Sequence, residues 1–381
     1  MSIPFREAVK VGSHLVKNKI RRQDKFALVL ELEPLFACNL ACSGCGKIQH
    51  PASILKQRMS VEDAVNAVED CGAPVVSIAG GEPLMHPHMP EMVQALIDKK
   101  RCVYLCTNAL LLRKKLHLYK PHPNFAWVVH IDGLEERHDE SVDKAGTFTE
   151  AVEAIRAAKA AGFRVNTNTT FFNTDTAHTV REVLDYLNDD LQVDRMMISP
   201  GYAYEKAPDQ DHFLGVRQTQ ELFKKAFDGK RKHWRFNHSP MFLDFLEGKF
   251  DFDCTAWAIP SYSVFGWQRP CYLLTDEGHA SSFKSLMEET AWDKYGVGRN
   301  PACDNCMAHC GFEGTAVNDA FTHPFKALKA ALWGPELTGP MAPELPVTYG
   351  DGEHVRRAVA TVAVQDVKLS HRSADRGSRL P

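Results

Sequence analysis

From residue 26 to about residue 200, short apolar runs rich in β-branched and aromatic residues alternate with stretches whose apolar residues recur at helical spacing. The runs are FALVLELE, APVVSIAGG, CVYLCTN, FAWVVHIDG, FRVNTNTTFF and DRMMISPG. Between them lie segments such as VEDAVNAVEDC and TFTEAVEAIRAAKAAG, the second ended by Gly162. Strands separated by helices pair in parallel, because a crossover of helical length returns the chain to the same end of the sheet. The expected fold class is therefore α/β, a partial (β/α)6 TIM-like barrel, with its chemistry on loops at the carboxyl ends of the strands.

The regular alternation stops near residue 230. Five cysteines, Cys254, Cys271, Cys303, Cys306 and Cys310, then stand among Trp, Phe and Pro. The expected organisation is a basic amphipathic helix over 1–25, a barrel over 26–230, a smaller cysteine-rich module over 231–335, and a mostly polar tail over 336–381. The first of these places Ile3, Phe5, Ala8, Val9, Leu15, Val16 and Ile20 on an approximately helical period among lysines and arginines. Such a helix either docks on the barrel with its charges in water or lies on a membrane surface.

A net charge of -3 over 381 residues gives no global field to draw in nucleic acid. Eleven cysteines, an odd number in clusters, with no continuous apolar core in the first 25 residues, point to metal-binding thiols in a reducing cytoplasm rather than to disulfides. No window reaches the roughly 18 consecutive apolar residues of a membrane-spanning helix.

Cys38, Cys42 and Cys45 follow the first apolar run as C-x3-C-x2-C, among the small residues Asn39, Ala41, Ser43 and Gly44. Three thiolates on one tight loop can cap a cubane iron–sulfur cluster and leave one iron open to an outside ligand. A zinc knuckle is the alternative, and His50 is its local fourth ligand. The spacing and its place after the first strand resemble the signature loop of the radical S-adenosylmethionine (SAM) superfamily. That resemblance implies a [4Fe–4S] cluster on Cys38, Cys42 and Cys45, SAM as its exogenous ligand, and an electron donor such as flavodoxin or ferredoxin. Gly44 departs from the family, which usually has an aromatic residue there near the adenine, so adenine contact is expected from backbone alone.

Further segments fit the same family. Gly80-Gly81-Glu82-Pro83 after the second run resembles its GGEP motif, which implies that Gly80, Gly81 and Glu82 bind the amino group of SAM. Cys106-Thr107-Asn108 resembles its TN-Gly turn, with Ala109 in place of the glycine, and assigns Asn108 to the same pocket. His130-Ile131-Asp132-Gly133, followed by Glu136, His138 and Asp139, resembles its DG-x-x-E-x-H-D segment, and puts Asp132 near the ribose or sulfonium. Asn166, Asn168 and Thr170 alternate along the fifth run, share one face, and suit ribose hydroxyls.

The later cysteines form C-x11-G-x4-C through Gly266 and then C-x2-C-x3-C. They resemble the SPASM or twitch extensions of some radical SAM enzymes, which implies a second [4Fe–4S] cluster; a structural zinc site or free thiols are the alternative. Segments including FREAVKVGSHLVKNKI, EPLFACNLACSGCGKIQHP, TTFFNTDT and ISPGYAYEKAPDQDHF further resemble the hopanoid-biosynthesis branch, the adenosylhopane synthases. This implies addition of the 5′-deoxyadenosyl radical to the alkene of diploptene, a hydrophobic triterpene, at or near the inner membrane face. Cys106, beside the SAM turns, is then the candidate hydrogen donor that ends the reaction. The competing expectation is a hydrogen-abstracting enzyme of SPASM type acting on a peptide or another substrate.

Overall fold

The computed structural model describes residues 5–202, 206–229, 232–274, 277–325 and 328–329. The expected tail over 336–381 lies outside the described residues.

Six parallel strands, β1 (Val29–Glu33), β2 (Val75–Ile78), β3 (Cys102–Thr107), β4 (Phe125–His130), β5 (Arg164–Phe171) and β6 (Arg195–Pro200), pair in chain order. The expected α/β architecture with a parallel sheet is therefore present. The intervening helices begin and end where local chemistry dictates. Ser60 accepts the Asp63 amide at the start of Val61–Cys71, and Gly72 closes that helix at φ +68°. Gly162, at φ +84°, follows the helix Thr147–Ala160 as its sequence position suggests.

Alternation along the strands separates two faces. Leu30, Leu32, Val76, Ile78, Val103, Leu105, Trp127, Val129 and Val165 pack outward under the helices in one large core. Val75, Cys102, Tyr104, Ala126 and Val128 form a smaller cluster inside the barrel, with Val29, Cys106 and Met197 against it. The period of two then assigns Glu31, Glu33, Ser77, His130, Asn166, Asn168 and Thr170 to the interior face.

The second half of the chain continues this sheet. β7 (Ser261–Ser263) pairs in parallel with β1, and β8 (Gly266–Gln268) and β9 (His279–Ala280) extend it antiparallel, giving the order β6-β5-β4-β3-β2-β1-β7-β8-β9. At the other edge Met196 donates to Arg235 and accepts from Asn237, so the segment around Phe236 covers β6. Both flanks of the six-stranded unit are thus closed by later sequence.

The amphipathic helix α1 (Phe5–Ile20) seals the amino-terminal end of the barrel. Glu7 is buried and accepts the Tyr104 hydroxyl at 2.6 and 2.7 Å, Val11 packs on the interior cluster, and Leu15 is 1% exposed. The face turned to the protein carries Glu7, Val11, Leu15 and Asn18. Val9, Val16 and Ile20 remain on the outer side.

Candidate active site

The three thiols of Cys38, Cys42 and Cys45 sit on a loop folded against the turn after β2. The loop closes on itself through the Cys45 amide to the Cys42 carbonyl, 3.1 Å, and the Leu40 amide to Cys38 Sγ, 3.4 Å. The Gly81 and Glu82 amides donate to the carbonyls of Leu35 and Ala37, at 2.9 and 2.8 Å, zipping the two turns together. Both glycines are required by this approach. A Cβ on Gly80, whose φ is +102°, would lie 2.3 Å from the Leu35 carbonyl oxygen, and one on Gly81 2.1 Å from that of Ala37.

Glu82 is almost wholly buried and accepts the amides of Asn108 and Leu84 and the Thr107 hydroxyl, at 2.8, 2.9 and 2.9 Å. Burial pushes its carboxyl up to about 7, against those donors, which favour the charged form. Asn108 in turn reaches the loop, with Nδ2 2.7 Å from Asn39 Oδ1 and 3.7 Å from Cys38 Sγ. Ala109 takes φ +66°, the left-handed conformation that explains why glycine is usual at this turn.

Asp132, at the end of β4, is held from three sides: the Thr170 amide at 2.8 Å, the Ser141 hydroxyl at 3.0 Å and His130 Nε2 at 2.8 Å. Burial raises its carboxyl, but His130, together with His138 and the Thr170 amide, outweighs that and holds it below the ordinary range. The His130 imidazole is raised in return: burial lowers it, and Asp132 more than compensates. The Asp132 amide donates to His138 Nδ1 at 3.1 Å, and burial drives the His138 ring down to about 4, so it stays neutral and accepts. Asp132 also lies near enough to Cys42 to raise that thiol, after burial, Cys45 and Cys38. Cysteine loop, Glu82 turn, Asn108 and Asp132 therefore share the carboxyl-terminal mouth of the barrel.

Gly44 has its aromatic neighbours after all. A Cβ there would meet His212 Nε2 at 3.0 Å and the Phe172 ring at 3.7 Å, and those two rings stack edge-on, 4.8 Å between centroids. The end of β5 and a later loop bring these two rings to the position. Their distance in sequence hid them.

Several interior groups also escaped sequence reading. Glu31 and Glu33 alternate with leucines on β1, so both carboxylates enter the barrel. Glu33 is fully buried and pairs with Lys47 at 2.7 Å. Burial and the Glu33 charge push Glu31 up to about 8. Ser77 Oγ lies 3.7 Å from Cys106 Sγ. Two carboxylates at i and i+2 in an otherwise apolar parallel strand were the available signal.

The five later cysteines converge as well. A cavity beside β6 is lined by Cys254, Cys271, Cys303 and Cys306 together with Tyr202 and Phe312. Cys310, in the first turn of the helix His309–Thr322, is raised by burial and by Cys271 and Cys254. The module adjoins the first site through Lys47, whose ammonium lies 3.8 Å from the centre of the Tyr272 ring, next to Cys271.

Donor spacing tests which metal group these thiols fit. A tetrahedral zinc ion with bonds of about 2.3 Å holds its sulfurs roughly 3.8 Å apart. Among the described residues, the group of three or more metal-ligand atoms lying within 4.8 Å of one another is Asp185, Asp189 and His233, and it contains no cysteine. Each thiol set offers sulfur donors close enough to raise one another, the donor chemistry a cubane cluster takes. His50, the fourth ligand of the zinc alternative, packs against Phe36 and Phe265, which also touch each other.

The radical SAM superfamily model matches residues 32–187, from β1 through the helix after β5, the segment that carries the cysteine loop, Glu82 and Asp132. Residues 32–187 are a radical SAM domain. That family binds a [4Fe–4S] cluster and SAM. A domain of unknown function, DUF3463, matches residues 196–330 and contains all five later cysteines. GTP 3′,8-cyclase 1 of Mycobacterium tuberculosis is 28% identical over 144 residues, 35% of this chain and 40% of that protein. The antilisterial bacteriocin subtilosin biosynthesis protein AlbA of Bacillus subtilis is 24% identical over 337 residues, 80% of this chain and 72% of that protein. The chain spans 40 to 51% of the length of the GTP cyclases and of the Methanosarcina barkeri Fe-coproporphyrin III synthase that it matches. Streptococcus suis SuiB superposes with a TM-score of 0.59 at 15% identity, over 79% of this chain and 75% of that one, a likeness of fold alone. The finer resemblance to adenosylhopane synthases gains no support from these relatives, and the expected membrane association none from the fold. Among the described residues no helix is long and apolar enough to cross a membrane.

Proposed function

We propose that this chain is a radical SAM enzyme whose Cys38, Cys42 and Cys45 hold the SAM-cleaving cluster, while Cys254, Cys271, Cys303, Cys306 and Cys310 supply the ligands of a second. The observation that carries this reading is the meeting of the three-cysteine loop, the buried Glu82 and Asp132 at one mouth of a parallel barrel. When bound, the first cluster supplies the electron that splits SAM into methionine and a 5′-deoxyadenosyl radical. The protein's part is placement. The Gly80-Gly81 backbone and Glu82 receive the SAM ammonium, Asn108 braces the loop, Asp132 with Asn166 and Asn168 faces the ribose, and Phe172 and His212 flank the adenine. A flavodoxin- or ferredoxin-class donor is the partner this chemistry requires.

For the radical's fate, the relatives favour hydrogen abstraction, since the match covering 80% of this chain is a bacteriocin biosynthesis protein and a mycofactocin maturase is also matched. Abstraction leaves free 5′-deoxyadenosine and an activated substrate of peptide or other class. A specific observation supports the second reading, adenosyl transfer to the alkene of diploptene. Radical addition leaves a carbon radical that needs a hydrogen atom, and the half-buried Cys106 thiol faces the chamber between Ser77 and the SAM turns.

Anaerobic incubation with SAM and a strong reductant tests both levels. Cys38, Cys42 and Cys45 changed together to Ala should abolish SAM cleavage yet leave iron and sulfide on the later cysteines; intact cleavage would reject the site. With diploptene present, an apolar product carrying the adenosine mass supports transfer. Free 5′-deoxyadenosine without any adduct supports abstraction.

A further inference from the structure

Three strands bring a carboxyl, a hydroxyl and a thiol into line on the inner face of the barrel. Glu31 on β1 and Ser77 on β2 are direct partners in the strand register, and their side chains are hydrogen-bonded. Ser77 Oγ is 3.7 Å from Cys106 Sγ on β3. The neighbouring charges are already committed: Glu33 to Lys47, and Glu82 to the Asn108 and Leu84 amides and the Thr107 hydroxyl. A carboxyl and a serine inside a parallel barrel are costly to desolvate.

We propose that Glu31 and Ser77 form a proton relay that restores the Cys106 thiol after it has given up its hydrogen atom. The inference rests on the adenosyl-transfer reading. In the first step the substrate carbon radical takes the hydrogen atom of the Cys106 S–H, forming a C–H bond and leaving a thiyl radical. One electron from the flavodoxin- or ferredoxin-class donor then reduces the thiyl to a thiolate. The thiolate takes the Ser77 hydroxyl proton, Ser77 takes the Glu31 carboxyl proton, and Glu31 regains one from water in the chamber. The direction is downhill. Burial pushes the Cys106 thiol up to about 12, and burial with the Glu33 charge puts Glu31 at about 8, so near neutrality the carboxyl is charged with its proton and the thiolate is the stronger base.

A thiol that starts protonated serves one turnover without a relay, and this gives the test its resolution. Full-length holoenzyme is assayed anaerobically with SAM, diploptene and reduced flavodoxin, and adduct per enzyme is followed through the first and later turnovers. Ser77→Ala and Glu31→Gln should keep a first-turnover yield near one adduct per enzyme, while later turnovers slow by at least about tenfold and unsaturated shunt products accumulate; Ser77→Thr, which keeps the hydroxyl, should restore the later turnovers. Iron content and thermal melting of each variant separate this split from misfolding, which would lower both phases together. Later turnovers at the wild-type rate in both variants, or a first turnover lost in proportion with the later ones, would overturn the relay. A normal adduct from Cys106→Ala would overturn it by removing the donor. Wild-type enzyme giving only free 5′-deoxyadenosine would reject adenosyl transfer itself, and the relay with it.

Discussion

Glu31 shows how a single side chain carries both a cost and a use. Its carboxyl is raised to about 8 by burial and by Glu33, so the folded chain holds a proton that the unfolded chain releases above about 4.5. Protons bound preferentially by the folded state make stability fall as pH rises between those two values, at up to about 1.4 kcal/mol per pH unit. Glu31→Gln removes that dependence. Thermal unfolding from pH 5 to 8 should therefore show a shallower decline for the variant, which is the more stable protein at pH 8 and close to wild type at pH 5. Parallel curves would mean that Glu31 titrates normally. Glu82, raised to about 7 by burial, keeps part of the slope in both proteins.

Helix α1 illustrates how an element's pattern can fit two surfaces. Its basic amphipathic sequence is compatible with a membrane, yet Glu7, Leu15 and Asn18 are buried against the barrel and Tyr104 is tied to Glu7. A helix that stoppers a barrel contributes through packing, so Leu15→Ala should cost about 2–5 kcal/mol in denaturant unfolding. A loss below about 1 kcal/mol would mean that α1 rests on the barrel without sealing it. The cysteine loop makes the same point for chemistry. Its spacing supplies three thiols, but their aim depends on Gly80 and Gly81, which let the next turn pack close enough to hold it.

At the level of the molecule, the two matched regions form one sheet. β7 pairs with β1, and β6, nearly all of it in the second matched region, pairs with β5, so both edges of the radical SAM domain are covered by later sequence. Exposed, apolar parallel edges associate with one another. Expression of residues 1–195 alone should yield aggregated or poorly folded protein, read by size-exclusion chromatography and circular dichroism. A monodisperse, well-folded fragment would show that the edges are dispensable.

The alternation of strand and helix, the three-cysteine spacing, the GGEP turn and the later cysteine cluster were all legible along the chain, because each is set by neighbours within a few residues. The parallel sheet and the cofactor class follow from them. Tertiary structure alone decided which separated groups meet: His130 with Asp132, Phe172 and His212 behind Gly44, Lys47 between Glu33 and Tyr272, and the line from Glu31 through Ser77 to Cys106. Side-chain period tells which face of a strand a residue occupies, but strand order and register determine what stands opposite it. The same holds for α1. Sequence determined that it is amphipathic, and only the open end of the barrel, bearing Tyr104, determined that Glu7, Leu15 and Asn18 turn inward while Val9, Val16 and Ile20 stay exposed.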